Sequence, residues 1–95
     1  SKSFDVIKEL NAQGIVPKVS DIFIDNVDYL DSNSEYSLIT NLSEWSCSFD
    51  IVFLLVPHSE YIDMGYSYLR SLLKDDGYFF DLKSSFHQQN KDGSL

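Results

Sequence analysis

The stretch DIVFLLV, Asp50 to Val56, holds six successive apolar residues, Ile51 through Val56, with no polar residue among them. A strand with one face in water alternates polar and apolar residues, whereas an unbroken run marks a strand covered on both faces, the habit of parallel sheets in α/β folds. The run is far too short to span a bilayer. Pro57 lacks an N–H and ends the pairing. Ser59 is then placed to cap a helix with Glu60 and Asp63 in its first turn, and Tyr61, Met64, Tyr68 and Leu72 recur at three- and four-residue steps. Lys74 falls near the end of that helix and Gly77 just beyond it, and YFFDL, Tyr78 to Leu82, reads as a second strand.

The N-terminal segment SKSFDVIKELNAQG carries Phe4, Ile7 and Leu10 at helical spacing. Gly14 supplies its stop, Ser3 is placed to cap it and Asp5 lies in its first turn. No strand precedes this helix, so the chain is expected to begin inside a larger domain. Ile15 to Asp21 is partly β-branched and interrupted by Pro17, which suits an edge strand. IFIDNVDYLDSNS reads as a loop with anchoring side chains. EYSLITNLSEWSCSF is ambiguous, because Leu38, Leu42 and Trp45 fit one helical face while a short strand at Leu38 to Thr40 fits about as well. The order helix, strand, variable segment, strand, helix, strand predicts crossovers on a parallel sheet. Residues 1–86 are expected to form this domain and 87–95 a polar tail.

Ninety-five residues suit one small domain. The 43% hydrophobic and 15% aromatic content predicts an ordered core rich in Phe and Tyr. Seven basic residues against fifteen acidic ones give a formal charge of -8, which opposes any sequence-independent hold on a nucleic-acid backbone. The single arginine, Arg70, and the absence of a basic run argue against an anionic membrane surface. One cysteine, Cys47, makes no internal disulfide and has no Cys or His at zinc-ligand spacing, so a reducing, cytoplasmic setting is expected.

In open parallel sheets ligands gather beyond the carboxyl ends of the strands. The residues there are Asp21, then Pro57, His58 and Ser59, then Asp81, Lys83 and Ser84. His58 and Glu60 are two apart at a strand-to-helix junction and would not face each other on a helix, which disfavours a metal pair. A third ligand is also lacking, since His87 falls in the tail. The structural reading has His58 bonded to a loop or the helix start and Glu60 complementing the helix dipole; a catalytic histidine is the competing one. Cys47 has no Lys, Arg or His neighbour to activate it and reads as a small buried hydrophobe. The four glycines form no phosphate-cradling motif. Tyr61, Met64 and Tyr68 read as core or an interface. Lys83 follows an apolar strand in a chain with few cations, which suits an anionic group such as a phosphate, against the plain reading of a solubilising lysine. Asp81 is placed to pin Lys83 or a neighbouring loop amide.

These features together resemble the C-terminal, UDP-binding domain of the UDP-glucose/GDP-mannose dehydrogenase family. SKSFDVIKELNAQG is similar to the family's helix after its Arg-x-Ser/Thr element, VSD to its strand ending in Asp-Pro, FDIVFLLVPHSEY to its yDaiilavaHxey, and GYFFDLKSSF to its viiDiKgif. The closest likeness is to enzymes that oxidise UDP-N-acetylhexosamines for bacterial surface polysaccharides. Asp21 is followed by Ile22 where the family usually has Pro, and Ser84 stands where close relatives often have Gly.

The resemblance implies a Rossmann-like three-layer sandwich with a mainly parallel sheet, lacking its first strand in this fragment. It implies a parent that is an NAD-dependent oxidoreductase making UDP-uronic acids by two hydride transfers at the sugar C6, through a thiohemiacetal on a cysteine that Cys47 does not match. NAD belongs to the intact enzyme and none to this fragment, and the partners are a UDP-sugar, the NAD-binding and central domains and further copies of the chain. Lys83, Asp81, Ser84 and His58 are the candidates for the UDP-sugar cleft. Two other readings stay open: a non-catalytic α/β interaction or oligomerisation domain, and a small Rossmann-like domain for another nucleotide.

Overall fold

The computed structural model describes residues 2–20, 34–86 and 93–94. The chain divides into two compact units, Ser1–Asn41 and Leu42–Leu95. Every strand pairing among the described residues is parallel, and helices intervene between strands in the chain, so the architecture is α/β and Rossmann-like.

The first unit opens with helix α1, Lys2–Ala12. Ile7 is buried, Phe4 and Leu10 are half-buried, and Asp5 sits in the first turn. Ser3 lies inside the helix, one residue past its first, and not at the cap position the sequence suggested. The stop is at Gly14, with φ of 82°. Its N–H donates to Asn11 O at 2.9 Å and the Ile15 N–H to Leu10 O at 2.9 Å, the paired bonds of a Schellman ending. Strand β1, Lys18–Val19, then pairs with β2, Ser37–Leu38. Pro17 precedes β1 and contributes its carbonyl, which accepts the Ser37 N–H at 3.0 Å. The Asn11 side chain supplies a bond set that sequence patterning does not reveal. Its Nδ2 donates to Ile15 O at 3.0 Å and Glu35 O at 2.9 Å, and its Oδ1 accepts the Glu35 N–H at 2.9 Å. One amide side chain thus matches both backbone groups of Glu35, as a neighbouring strand would.

The second unit begins with a 3-10 turn, Leu42–Trp45, and continues into strand β3, Phe49–Leu54. The ambiguous segment before β3 holds a strand at Ser37–Leu38, which meets the expected Leu38 to Thr40 at one residue, and a helical turn at Leu42–Trp45 that leaves Leu38 outside it. Trp45 stacks on Phe49 with ring centroids 5.5 Å apart. Cys47, between them, is exposed with φ of 52°, not buried as expected; a turn that needs a left-handed residue lifts its side chain away from the core.

After β3 come helices α2, Ser59–Met64, and α3, Tyr66–Arg70. The single helix expected from Ser59 to about Lys74 is broken at Gly65, whose φ of 88° and ψ of 155° lie in a region that only glycine occupies readily. The break takes Met64 and Tyr68 out of the shared face, and both are exposed, while Tyr61, Leu69 and Leu72 are buried. Ser59 is the first helical residue, and the N-cap position belongs to His58.

Strand β4, Leu73–Asp81, starts five residues earlier than Tyr78. It lies between β3 and the short β5, Gly93–Ser94, which falls within the stretch read as a polar tail. Pairing of β3 with β4 is interrupted once: between Phe49↔Leu73 and Ile51↔Tyr78, the one residue Asp50 faces the four from Lys74 to Gly77. Lys74 Nζ bridges the bulge to Asp50 Oδ1 at 3.2 Å, and Arg70 Nη2 donates to Gly77 O at 3.4 Å. Leu73 before the bulge and Phe79 and Asp81 beyond it are buried, whereas Tyr78 is exposed. On β3, Leu54 is buried but Ile51 is 50% and Phe53 39% exposed. The expectation of cover on both faces therefore fails among the described residues of this unit, where Ile51, Phe53 and Tyr78 stay exposed. The core is centred on the fully buried Phe79, whose ring meets Tyr66 at 5.3 Å and Phe86 at 6.5 Å, with Tyr66 and Phe86 5.8 Å apart. All three pairs are edge-to-face, the arrangement that ring quadrupoles favour.

Candidate functional site

Strands β3 and β4 run parallel and end in register, with Leu54 opposite Asp81. The ladder extends one step further, since the Leu82 N–H donates to Leu54 O at 3.1 Å. The two chains then part. One passes through Pro57 and His58 into α2; the other enters a turn over residues 82–86. A doubly wound sheet binds ligands where its chains leave the carboxyl ends of such strands, and this geometry puts His58 and Lys83 each a few residues past a common end.

Asp81 organises the second of these exits. Its side chain is 0% exposed, yet both carboxylate oxygens are bonded: Oδ1 accepts the Ser85 N–H at 3.0 Å and Oδ2 the Phe86 N–H at 2.8 Å. Its backbone carbonyl accepts the Ser84 N–H at 3.2 Å. A buried carboxylate is stable only when such donors replace its hydration. Of the two loop roles that the sequence allowed Asp81, the structure displays the bonding of neighbouring amides. Ser84 sits at φ of 52°, in the left-handed region that glycine adopts most readily. Lys83 projects from the turn and is exposed.

His58 is half-buried at the start of α2. Its carbonyl accepts the Tyr61 and Ile62 N–H groups at 3.0 and 3.2 Å, its ring lies 6.1 Å from that of Tyr61, and its side chain makes no cap bond to the helix. Glu60 is exposed and its Oε2 accepts from Ser59 Oγ at 3.3 Å. Among the described residues no three His, Cys, Asp or Glu side chains gather at metal-binding distance. Asp21 and His87 lie outside the described residues.

The arrangement offers one ammonium, one imidazole and one hydroxyl, from Lys83, His58 and Ser84, around the exits of two paired strands. Groups of these kinds are able to donate charge-assisted hydrogen bonds to an anion. The residue that sequence reasoning missed is Phe86, which closes the turn by burying its ring on Phe79 and Tyr66. Its signals were an aromatic five residues after an Asp and the closing aromatic of the GYFFDLKSSF likeness.

The model of the UDP-glucose/GDP-mannose dehydrogenase family, UDP binding domain, matches residues 1–88. The chain belongs to this family. The match covers both units and both strand exits, so the Asp-x-Lys element and His58 fall inside the matched domain. Searches of curated proteins and of solved structures returned no match. No helix among the described residues is long and apolar enough to cross a membrane.

Proposed function

We propose that this chain is the UDP-sugar-binding part of an NAD-dependent nucleotide-sugar 6-dehydrogenase, with Lys83 as the contact to the diphosphate. The single observation that carries the reading is the family match over residues 1–88, supported by the location of Lys83 past the in-register ends of β3 and β4. Ser84 and His58 complete the anion-facing set, and Asp81 serves it through the turn. The likeness of FDIVFLLVPHSEY and GYFFDLKSSF to the UDP-N-acetylhexosamine branch supports an N-acetylated sugar and a role in making uronic acids for surface polysaccharide. NAD and the reactive cysteine belong, on this reading, to other domains of a cytoplasmic, oligomeric parent. This chain contributes binding of the nucleotide.

A second reading, an interaction or oligomerisation domain, draws support from the exposed apolar face formed by Ile51, Phe53 and Tyr78. Calorimetric titration of the chain with UDP, UDP-N-acetylglucosamine and ADP separates the two. The proposal expects both uridine nucleotides to bind more tightly than ADP and Lys83→Ala to weaken them. Equal or absent response to all three, with self-association that Phe53→Lys abolishes, would favour the second reading.

A further inference from the structure

We infer that Asp81 is a positioning residue for the nucleoside diphosphate: it fixes the turn that presents Lys83 and does not itself touch the ligand. The inference rests on the proposed role of Lys83.

Position 81 faces the same covered side of β4 as Phe79, and both residues are 0% exposed. An apolar side chain there would bury more hydrophobic surface, while a carboxylate brings a desolvation penalty that only matched donors offset. Those donors all come from the turn. The N–H groups of Ser84, Ser85 and Phe86 converge on the carbonyl and the two carboxylate oxygens of this one residue. A ligand reaching Asp81 would have to displace them. On the near side, Leu82 is held by the carbonyl of Leu54; on the far side, Phe86 is held by Tyr66 and Phe79. Lys83 is the exposed residue between these fixed ends.

Ser84 sharpens the point. A non-glycine residue keeps a left-handed conformation only where its surroundings impose it, and the bonds to Asp81 are made by Ser84 itself and the two residues after it. A lysine on a mobile turn would have to order that backbone on binding, which lowers apparent affinity by the fraction of time the turn is competent. Here three hydrogen bonds to Asp81 hold that backbone in the folded chain.

The test compares wild type, Asp81→Asn and Lys83→Ala in the full chain by UDP titration at several salt concentrations, with amide NMR spectra of each. Asp81→Asn replaces one acceptor by an NH2 group and is expected to weaken UDP roughly five- to tenfold as the competent turn becomes less populated. Its salt dependence should stay that of the wild type, because the cation is retained, while Lys83→Ala should flatten it. Ser85 and Phe86 amide signals should move in Asp81→Asn and those of Leu69 and Leu72 should not. If Asp81→Asn does not fold, Phe86→Leu loosens the other anchor and carries the same expectation. Wild-type affinity in a folded Asp81→Asn chain, with Lys83→Ala still impaired, overturns the positioning role and leaves the Lys83 reading intact. No saturable response in wild type overturns the Lys83 reading and this inference with it.

Discussion

The Phe86 N–H donates to Asp81 Oδ2 at 2.8 Å in a part of the protein from which water is excluded. This bond turns the chain back at the end of β4, so that the Phe86 ring covers Phe79. One relationship therefore serves both the core and the turn that carries Lys83.

Asp81→Ala is expected to destabilise the second unit by about 3 kcal/mol, since it strands two donors that now bond to a charged acceptor. Asp81→Asn, which keeps one acceptor, should cost about half as much. Urea unfolding followed by Trp45 fluorescence measures both; a loss below about 1 kcal/mol for Asp81→Ala would mean that the turn holds without its carboxylate.

Phe79→Ala removes the ring at the centre of the core and should cost about 3–5 kcal/mol, enough to unfold a domain of marginal stability. Phe79→Leu should cost less, about 1–2 kcal/mol. Circular dichroism during thermal melting ranks the pair.

Gly77 and Gly65 should both resist substitution by alanine, for different reasons. At Gly77 a Cβ would lie 2.8 Å from Leu73 Cβ and Cδ2 and 3.0 Å from Lys74 O, so Gly77→Ala forces the bulge to shift at a cost of about 1–3 kcal/mol. At Gly65 a Cβ would meet nothing within 4 Å. There the cost, about 1–3 kcal/mol, comes from the backbone conformation alone. The experimental signature differs: Gly77→Ala should disturb amide shifts across the bulge, from Asp50 to Tyr78, and Gly65→Ala only those near the helix break.

The Lys74–Asp50 pair spans the bulge, but its side chains are 52% and 80% exposed. A double-mutant cycle with Lys74→Ala and Asp50→Ala should give a coupling energy below about 0.5 kcal/mol, falling further in high salt. A coupling above about 1 kcal/mol would show that the bulge depends on this ion pair.

Much of the local order was legible in the sequence because it follows from near neighbours. Gly14 announced the end of α1, the run from Ile51 announced β3, and the YFFDL segment announced the pairing end of β4. The features that were not legible depend on distant partners. Tyr61, Met64, Tyr68 and Leu72 keep a helical period straight through Gly65, so periodicity alone predicts one helix where the backbone makes two. Lys74 to Gly77 resembles a helix end with its cation and glycine, and becomes a bulge only because Phe49 and Ile51 pair on either side of it. The exposed face of Ile51 and Phe53 contradicts the pattern of their own strand. At the site, the strand exits bearing His58 and Lys83 were readable from strand ends, but the closure of the turn by Phe86 required knowing that Phe79 and Tyr66 stand where its ring lands.

The most direct test of the central claim is backbone amide NMR mapping of UDP on the chain, with Lys83→Ala as the control. Saturable shifts confined to residues 58–60 and 81–86, largely lost in Lys83→Ala, are expected. Shifts that cluster elsewhere, that persist unchanged in the mutant, or that fail to appear at millimolar UDP would contradict it.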